Sequence, residues 1–290
     1  MPDLLLHQPR SLDEACATLA RYDGAARAIA GGTALVLMLR QGLLAPPALV
    51  RLDTIPGLDT IAEVDGTLRL GALATLSAVA ASPLVRARVP VLAAACALVG
   101  NVRVRNAATL GGNLCEADYA SDPPGVLVAL DARVRIHGPH GARELPVAAL
   151  VRDFYETALA PDELVTEVCI PLPAPTGVYL KYVTRSAEDR PCVGVTALVR
   201  HAADGRLAEA RVAVGAVAGR PLRLPAAEAL AHGAVPDEAL FHAIGQAYAA
   251  AAEPVSDARG SAAYRQQMVA VFVRRALRAA AAGQQGAWRV

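Results

Sequence analysis

The sequence predicts an α+β fold, with short strands and helices that do not follow a regular β–α–β alternation. Two observations support this prediction. Residues 132–138 and 163–173 read as short strands bounded by turn residues. Residues 75–100 are apolar in helix-length runs that prolines interrupt. With 290 residues, the chain is long enough for two domains or one large one.

The N-terminal half is predicted to start with a short strand that leads through Gly31–Gly32 into a helix. Thr33 is the candidate N-cap of that helix. A further strand is predicted over residues 48–53, after a pair of prolines. The pair Asp65-Gly66 predicts a β-hairpin, because Asp-Gly favours a type I′ turn.

The C-terminal part is predicted to begin after residues 171–177 (PLPAPTG), the best linker candidate in the chain. Three antiparallel strands and then three helices should follow. The last helix carries apolar side chains at i, i+4, i+7 and i+8, which predicts one buried face: Tyr264, Met268, Val271 and Phe272.

Composition excludes several classes of protein. The net charge is +1 with both signs interspersed, so no basic face suggests nucleic acid. The longest uncharged run, residues 70–85, is shorter than the roughly 18 apolar residues of a membrane span. The N-terminal residues do not resemble a signal peptide. We therefore expect a cytoplasmic protein with no membrane span.

The five cysteines are too far apart to form a knuckle, an iron–sulfur run or a zinc site. Their apolar neighbours indicate reduced, mostly buried thiols. The six histidines are equally scattered. The sequence therefore predicts no metal centre in this chain.

A polar segment in an Ala-, Val- and Leu-rich chain suggests a ligand site. The only three asparagines are Asn101, Asn106 and Asn113, and three aspartates follow them: Asp118, Asp122 and Asp131. Asp118 and Asp122 are acceptors suited to sugar hydroxyls. Two purely structural roles stay open as well: asparagines form turns, and Asp122 is placed to cap a helix that begins near Pro123.

Two Gly-Gly segments point to a phosphate-bearing ligand. Ala28–Leu35 lies between a predicted strand and helix, where glycines let backbone N–H groups approach a phosphate. Thr109–Asn113 repeats the pattern about 80 residues later. Neither segment is a Rossmann fingerprint or a P-loop, and either alone can be a tight turn.

Lys181 is unusual because the other 27 of the 28 Lys and Arg residues are arginines. A compact ammonium therefore has a specific use here, or Lys181 is an exposed strand residue. It lies after the proposed linker, from where it could reach over a site formed by the preceding segments.

These segments together resemble, in order, the FAD-binding medium subunit of molybdenum hydroxylases. The matching segments are residues 30–42, 104–134, 163–171, 179–185 and 256–277. The resemblance implies a two-lobed FAD-binding domain of the vanillyl-alcohol-oxidase (PCMH) type with lobes at 1–55 and 56–172. A smaller α+β domain at 173–290 is implied to follow.

The resemblance also implies a set of FAD-binding residues. The first loop, Ala28–Leu35, would lie along the pyrophosphate, and Thr109–Asn113 would form the second loop. Val165 would offer a main-chain contact near the flavin. Two departures from the family pattern, Glu116 and Tyr119, affect the segment after the second loop. The full predicted set is Ala28, Ile29, Ala30, Gly31, Gly32, Thr33, Ala34, Leu35, Asn106, Thr109, Leu110, Gly111, Gly112, Asn113, Asp118, Asp122, Val165 and Lys181.

The implied function is electron transfer by a non-covalently bound FAD. A large partner subunit with a molybdenum cofactor would oxidise the substrate, and a small iron–sulfur subunit with two-iron clusters would pass electrons to this chain. The assembly would be a dimer of heterotrimers. Alternatives are a stand-alone FAD-dependent oxidoreductase, disfavoured because the loops lack a Cys or His for covalent flavin, and a flavin-free scaffold.

Overall fold

The computed structural model describes residues 4–290. The first unit is a three-stranded parallel sheet in the order β1-β3-β2 with two helices. Its elements are β1 (Leu5–His7), α1 (Leu12–Ala20), β2 (Arg27–Ile29), α2 (Leu35–Arg40) and β3 (Ala48–Arg51). α1 begins with Ser11 as N-cap, whose hydroxyl accepts from the Glu14 N–H. α2 has no buried residue.

The second unit is a five-stranded antiparallel sheet in the order β4-β5-β10-β6-β7, covered by short helices. A two-stranded hairpin lies beside it. Its elements are β4 (Ile61–Val64), β5 (Thr67–Gly71), α3 (Leu76–Ala81), α4 (Pro83–Arg88), α5 (Pro90–Ala97), α6 (Val102–Ala107), α7 (Leu110–Glu116), α8 (Asp122–Ala129), β6 (Arg133–Gly138), β7 (Gly141–Pro146), α9 (Val147–Leu150), β8 (Val151–Asp153), β9 (Glu156–Thr157) and β10 (Leu164–Pro171).

The third unit is a four-stranded sheet in the order β13-β12-β11-β14, with helices on one face. Its elements are β11 (Thr176–Tyr182), β12 (Val193–His201), β13 (Leu207–Gly215), α10 (Pro225–Glu228), α11 (Glu238–Ala251), α12 (Ala262–Ala281) and β14 (Gly286–Arg289). The face with Val178 and Leu180 packs on α11 and α12, whereas Tyr179, Leu198 and Ala213 join the core of the second unit. This sheet is therefore buried on both faces.

Most predicted elements are confirmed. Asp65 and Gly66 both have positive φ, 48° and 68°, and connect the antiparallel strands β4 and β5. Prolines 83 and 90 begin α4 and α5, so they separate the helices as predicted. The three antiparallel strands after the linker are β11, β12 and β13.

Three local predictions are wrong. Thr33 does not cap α2, since Ala34 holds the N-cap position and makes no side-chain capping bond. The chain does not close on helices, because β14 follows α12 and pairs in parallel with β11. The buried stripe of α12 includes Phe272 but not Tyr264, which is 37% exposed. That stripe also contains alanines and Arg265, which a count of large apolar residues overlooks.

Candidate functional site

The two Gly-Gly segments meet in space although they are far apart in sequence. A Cβ atom built on Gly31 would lie 1.7 Å from the Ala107 carbonyl oxygen. The contact is therefore possible only because Gly31 has no side chain. It places the first loop directly against the residues that lead into Thr109, so the loops form one site.

The first loop presents unused hydrogen-bond donors. Within residues 4–290, the backbone N–H groups of Gly31, Gly32, Thr33 and Ala34 have no hydrogen-bond partner. Gly32 has a φ of 69°, which turns the chain from β2 into α2. Gly31 and Thr33 are exposed. Successive unpartnered N–H groups between β2 and α2 suit the pyrophosphate of FAD.

The second loop is built differently, because four of its five N–H groups already have acceptors. Leu110 and Gly111 donate to the carbonyl oxygens of Ala74 and Ala72 at 2.9 and 2.8 Å. The hydroxyl of Thr109 accepts from the Gly112 N–H at 3.1 Å and caps α7. The Gly-Gly pair therefore lies in the first turn of a helix rather than in a tight turn. Since Gly112 is exposed and has no side chain, a ligand can approach the backbone of this loop closely.

Each asparagine side chain has a hydrogen-bond partner within the chain. Asn101 caps α6 by accepting from the Val104 N–H at 3.1 Å. Asn106 accepts from the Ser77 hydroxyl at 2.5 Å. Asn113 exchanges two hydrogen bonds with the Ser121 hydroxyl, at 2.7 and 2.9 Å, and so ties α7 to the start of α8.

Asp122 and Lys181 form a buried ion pair. The Lys181 ammonium donates to Asp122 at 2.8 Å and to the Leu98 carbonyl at 3.0 Å. The Tyr179 hydroxyl donates to the other Asp122 oxygen at 2.6 Å. The two charged side chains are 4% and 1% exposed. Lys181 is therefore not a surface residue, and Asp122 is not an N-cap, because Ser121 holds that position.

Burial and the neighbouring side chains act in opposite directions on the pKa of Asp122. Burial raises the pKa of Asp122, and the Lys181 ammonium and the Tyr179 hydroxyl oppose that rise. Burial also raises the pKa of the nearby Cys96 thiol to about 12, so this thiol is not reactive. Ser121, the residue before Asp122, bonds to Asn113 of the second loop, so the cluster is adjacent to that loop.

Glu116 and Tyr119, the two residues that depart from the family pattern, contact the third unit (residues 176–290), called the C-terminal unit from here on. Arg190 pairs with Asp118 and lies 3.8 Å from Glu116. Burial and the neighbouring Asp118 carboxylate raise the pKa of Glu116, and Arg190 opposes them. The Tyr119 hydroxyl donates to Asp257 at 2.5 Å. Sequence reasoning missed Arg190 and Asp257 as partners, because no local pattern marks them.

Val165 is buried in β10, where the pairing with β6 shifts register between Val165 and Glu167. Such a bulge interrupts the ladder next to a functional segment. The adjacent Thr166 carbonyl accepts from the Ala72 N–H at 2.9 Å, and Ala72 also receives the bond from Gly111. Val165 thus lies close to the second loop.

Other candidate chemistry is sparse in the described chain. Residues 4–290 contain no group of three or more His, Cys, Asp or Glu that could hold a metal ion. Four cysteines are buried, as predicted, and Cys115 is exposed. No helix in this range is long and apolar enough to cross a membrane.

Comparisons with known proteins show which family the chain belongs to. A family model described as the FAD binding domain in molybdopterin dehydrogenase matches residues 3–173. Another, described as the CO dehydrogenase flavoprotein C-terminal domain, matches residues 178–280. The fold and site thus define a flavoprotein with a FAD-binding domain and a smaller C-terminal domain. The chain belongs to the FAD-binding medium subunits of the molybdenum hydroxylase family and is an oxidoreductase subunit.

Relatives match over nearly the whole chain. The nicotine 6-hydroxylase medium subunit of Paenarthrobacter nicotinovorans is 33% identical over 96% of this chain and 97% of its own length. The carbon monoxide dehydrogenase medium chain of Hydrogenophaga pseudoflava is 31% identical over 96% and 97%.

Solved structures agree equally well. A chain of quinoline 2-oxidoreductase from Pseudomonas putida 86 is 32% identical, with a TM-score of 0.92 over 97% of this chain and 98% of that one. A chain of carbon monoxide dehydrogenase from Hydrogenophaga pseudoflava is 33% identical, with a TM-score of 0.93 over 97% and 99%. The predicted fold class is confirmed. The boundaries proposed at residues 55 and 172 stay predictions.

Proposed function

We propose that this chain is the electron-transfer subunit of a molybdenum-containing hydroxylase or dehydrogenase. It would take electrons from iron–sulfur clusters of a partner and pass them to an external acceptor through non-covalently bound FAD. The observation that carries the proposal is the row of unpartnered N–H groups from Gly31 to Ala34, held against the second loop. Family membership supports the same cofactor.

The two loops have different tasks in this proposal. The first loop, Ala28–Leu35, would bind the pyrophosphate through its free N–H groups. The backbone of the second loop, Thr109–Asn113, would pack closely against FAD. Asn106 would lie beside this loop, and the main chain of Val165 would lie near the flavin. Asp118, Asp122 and Lys181 would complete the site from behind the second loop. Asp122 and Lys181 already satisfy each other, so they would support the site as a neutral pair.

FAD would supply the one- and two-electron chemistry, and the protein would bind it, orient it and set its electrostatic surroundings. No side chain of this chain is required as a nucleophile or as the general base for a substrate. The chain's own part is to hold the two loops in place. The bonds from Leu110 and Gly111 to Ala74 and Ala72 fix the second loop, and the close contact of Gly31 with Ala107 sets the first loop against it.

Partner subunits are part of the proposal. Relatives are named as medium subunits or chains. We therefore propose a large molybdenum-cofactor subunit and a small iron–sulfur subunit, assembled as a dimer of heterotrimers. The exposed leucines 4–6 of the first unit, together with Val36 and Leu37 of α2, offer apolar surface for such a contact. Five free cysteines suit a reducing compartment, so we propose a cytoplasmic location.

Affinity purification of the tagged chain from its native host tests this proposal. Two further chains should copurify with it, and metal analysis should find molybdenum and iron in the complex alongside FAD. A yellow chain that purifies alone, without either metal, would instead support a stand-alone FAD-dependent oxidoreductase.

A further inference from the structure

The connection between α7 and α8, residues 117–121, is fixed at both ends by other parts of the chain. Ala117 ends α7 with a φ of 49°, and its carbonyl accepts from the Tyr155 N–H at 3.0 Å. The Tyr119 carbonyl accepts from the Ala216 N–H at 3.0 Å, just after β13. This connection follows α7, which begins in the second loop, so its position fixes the C-terminal end of that helix.

The Tyr119 side chain carries a second, stronger attachment to the C-terminal unit. Its hydroxyl donates to Asp257 at 2.5 Å and accepts from the Arg259 guanidinium at 3.1 Å. The ring packs edge-to-face on Phe154, with centroids 5.0 Å apart. Hydrogen bonds to a charged group are stronger than neutral ones, so this contact resists displacement.

Both carboxylate oxygens of Asp257 accept two hydrogen bonds each. One oxygen accepts from the backbone N–H of Arg259 at 2.7 Å and from Arg265 at 2.5 Å. The Arg265 side chain is fully buried and also donates to the Ala216 carbonyl at 2.8 Å. The same Ala216 holds the Tyr119 backbone, so the hydrogen bonds close a ring from Tyr119 through Asp257 and Arg265 to Ala216.

The acidic residues of this region share one arrangement. Each of them pairs with a cation that belongs to the C-terminal unit. The pairs are Glu116 and Asp118 with Arg190, Asp122 with Lys181, and Asp131 with Arg211 and Arg223. The C-terminal unit thus holds α7 and α8 by complementary charge along their length.

We propose that Tyr119 is a positioning residue, through which the C-terminal unit holds the second cofactor loop in its FAD-binding geometry. The bond from Tyr119 to Asp257 fixes the end of α7, and α7 carries the exposed Gly112 in its first turn. The C-terminal unit then contributes to the cofactor site through the second loop. This inference rests on the proposed location of FAD at the two loops.

Tyr119→Phe tests the inference, since it removes only the hydroxyl. In the full chain, the dissociation constant for FAD should rise about tenfold, which corresponds to about 1.4 kcal/mol. The visible circular dichroism of the remaining bound flavin should change as well. Tyr248→Phe is the matched control, because the Tyr248 hydroxyl bonds to Val212, Leu224 and Glu228, which all lie within the C-terminal unit.

The control should lose stability and keep its FAD affinity and flavin spectrum. Unchanged FAD affinity and spectrum in Tyr119→Phe would overturn the inference. Gly31→Ala, measured beside it, separates the two claims. If Gly31→Ala weakens FAD binding and Tyr119→Phe does not, the loop site stands and the positioning role fails. If neither variant changes FAD binding, the loop assignment itself fails.

Discussion

At the residue scale, Lys181 shows what composition can reveal and what it cannot. The single lysine among 28 Lys and Arg residues marks a position with a specific requirement, and the structure places it in a buried ion pair with Asp122. Its partner lies 59 positions away and Tyr179 completes the contact. Local patterns do not contain such pairings, so the sequence left the surface alternative open.

Lys181→Met should destabilise the protein, because it leaves the Asp122 carboxylate buried without its cation. Breaking one partner of a buried pair costs about 3–5 kcal/mol. Urea unfolding followed by circular dichroism measures the loss. The double variant Asp122→Asn/Lys181→Met should recover much of it, since no uncompensated charge remains. Wild-type stability in the single variant would show that the pair does not form.

At the element scale, local turn chemistry was the most predictable feature. The Asp65-Gly66 hairpin and the proline-separated helices α3, α4 and α5 follow from backbone preferences of a few neighbouring residues. The second Gly-Gly pair was harder, because Gly111 and Gly112 open a helix whose N–H groups bond to residues 72 and 74. That packing depends on a distant segment and leaves no local signal.

Two glycine positions, one in the site and one outside it, are predicted to differ sharply in their tolerance of substitution by alanine. A methyl group on Gly31 would collide with the Ala107 carbonyl and separate the loops, so Gly31→Ala should weaken FAD binding about tenfold or more. Gly125, within α8, is the matched control, since a Cβ there meets nothing within 4 Å.

Gly125→Ala should keep full FAD affinity and raise stability by about 0.5–1 kcal/mol, because alanine favours the helix. Fluorescence titration with FAD and thermal unfolding measure both quantities. Normal FAD affinity in Gly31→Ala would contradict the close contact between the loops.

At the scale of the whole molecule, the order of motifs is enough to predict the family, because the matching segments follow the family's order along the entire chain. The closing strand β14 was missed, since Gly286–Arg289 is short and its pairing with β11 is parallel and distant in sequence. The attachment of the C-terminal unit to α7 and α8 was equally hidden. It consists of ion pairs between residues that are tens of positions apart.

In the proposed function, the FAD of this chain relays electrons between a partner and an external acceptor. The most direct test removes the non-covalent FAD from the purified native complex and then reduces the complex anaerobically. The iron–sulfur centres of the FAD-free complex should still be reduced, as seen by electron paramagnetic resonance, while transfer to the acceptor stops and returns when FAD is added. Undiminished transfer to the acceptor without FAD would contradict the relay role, and flavin that stays attached to the denatured polypeptide would contradict non-covalent binding.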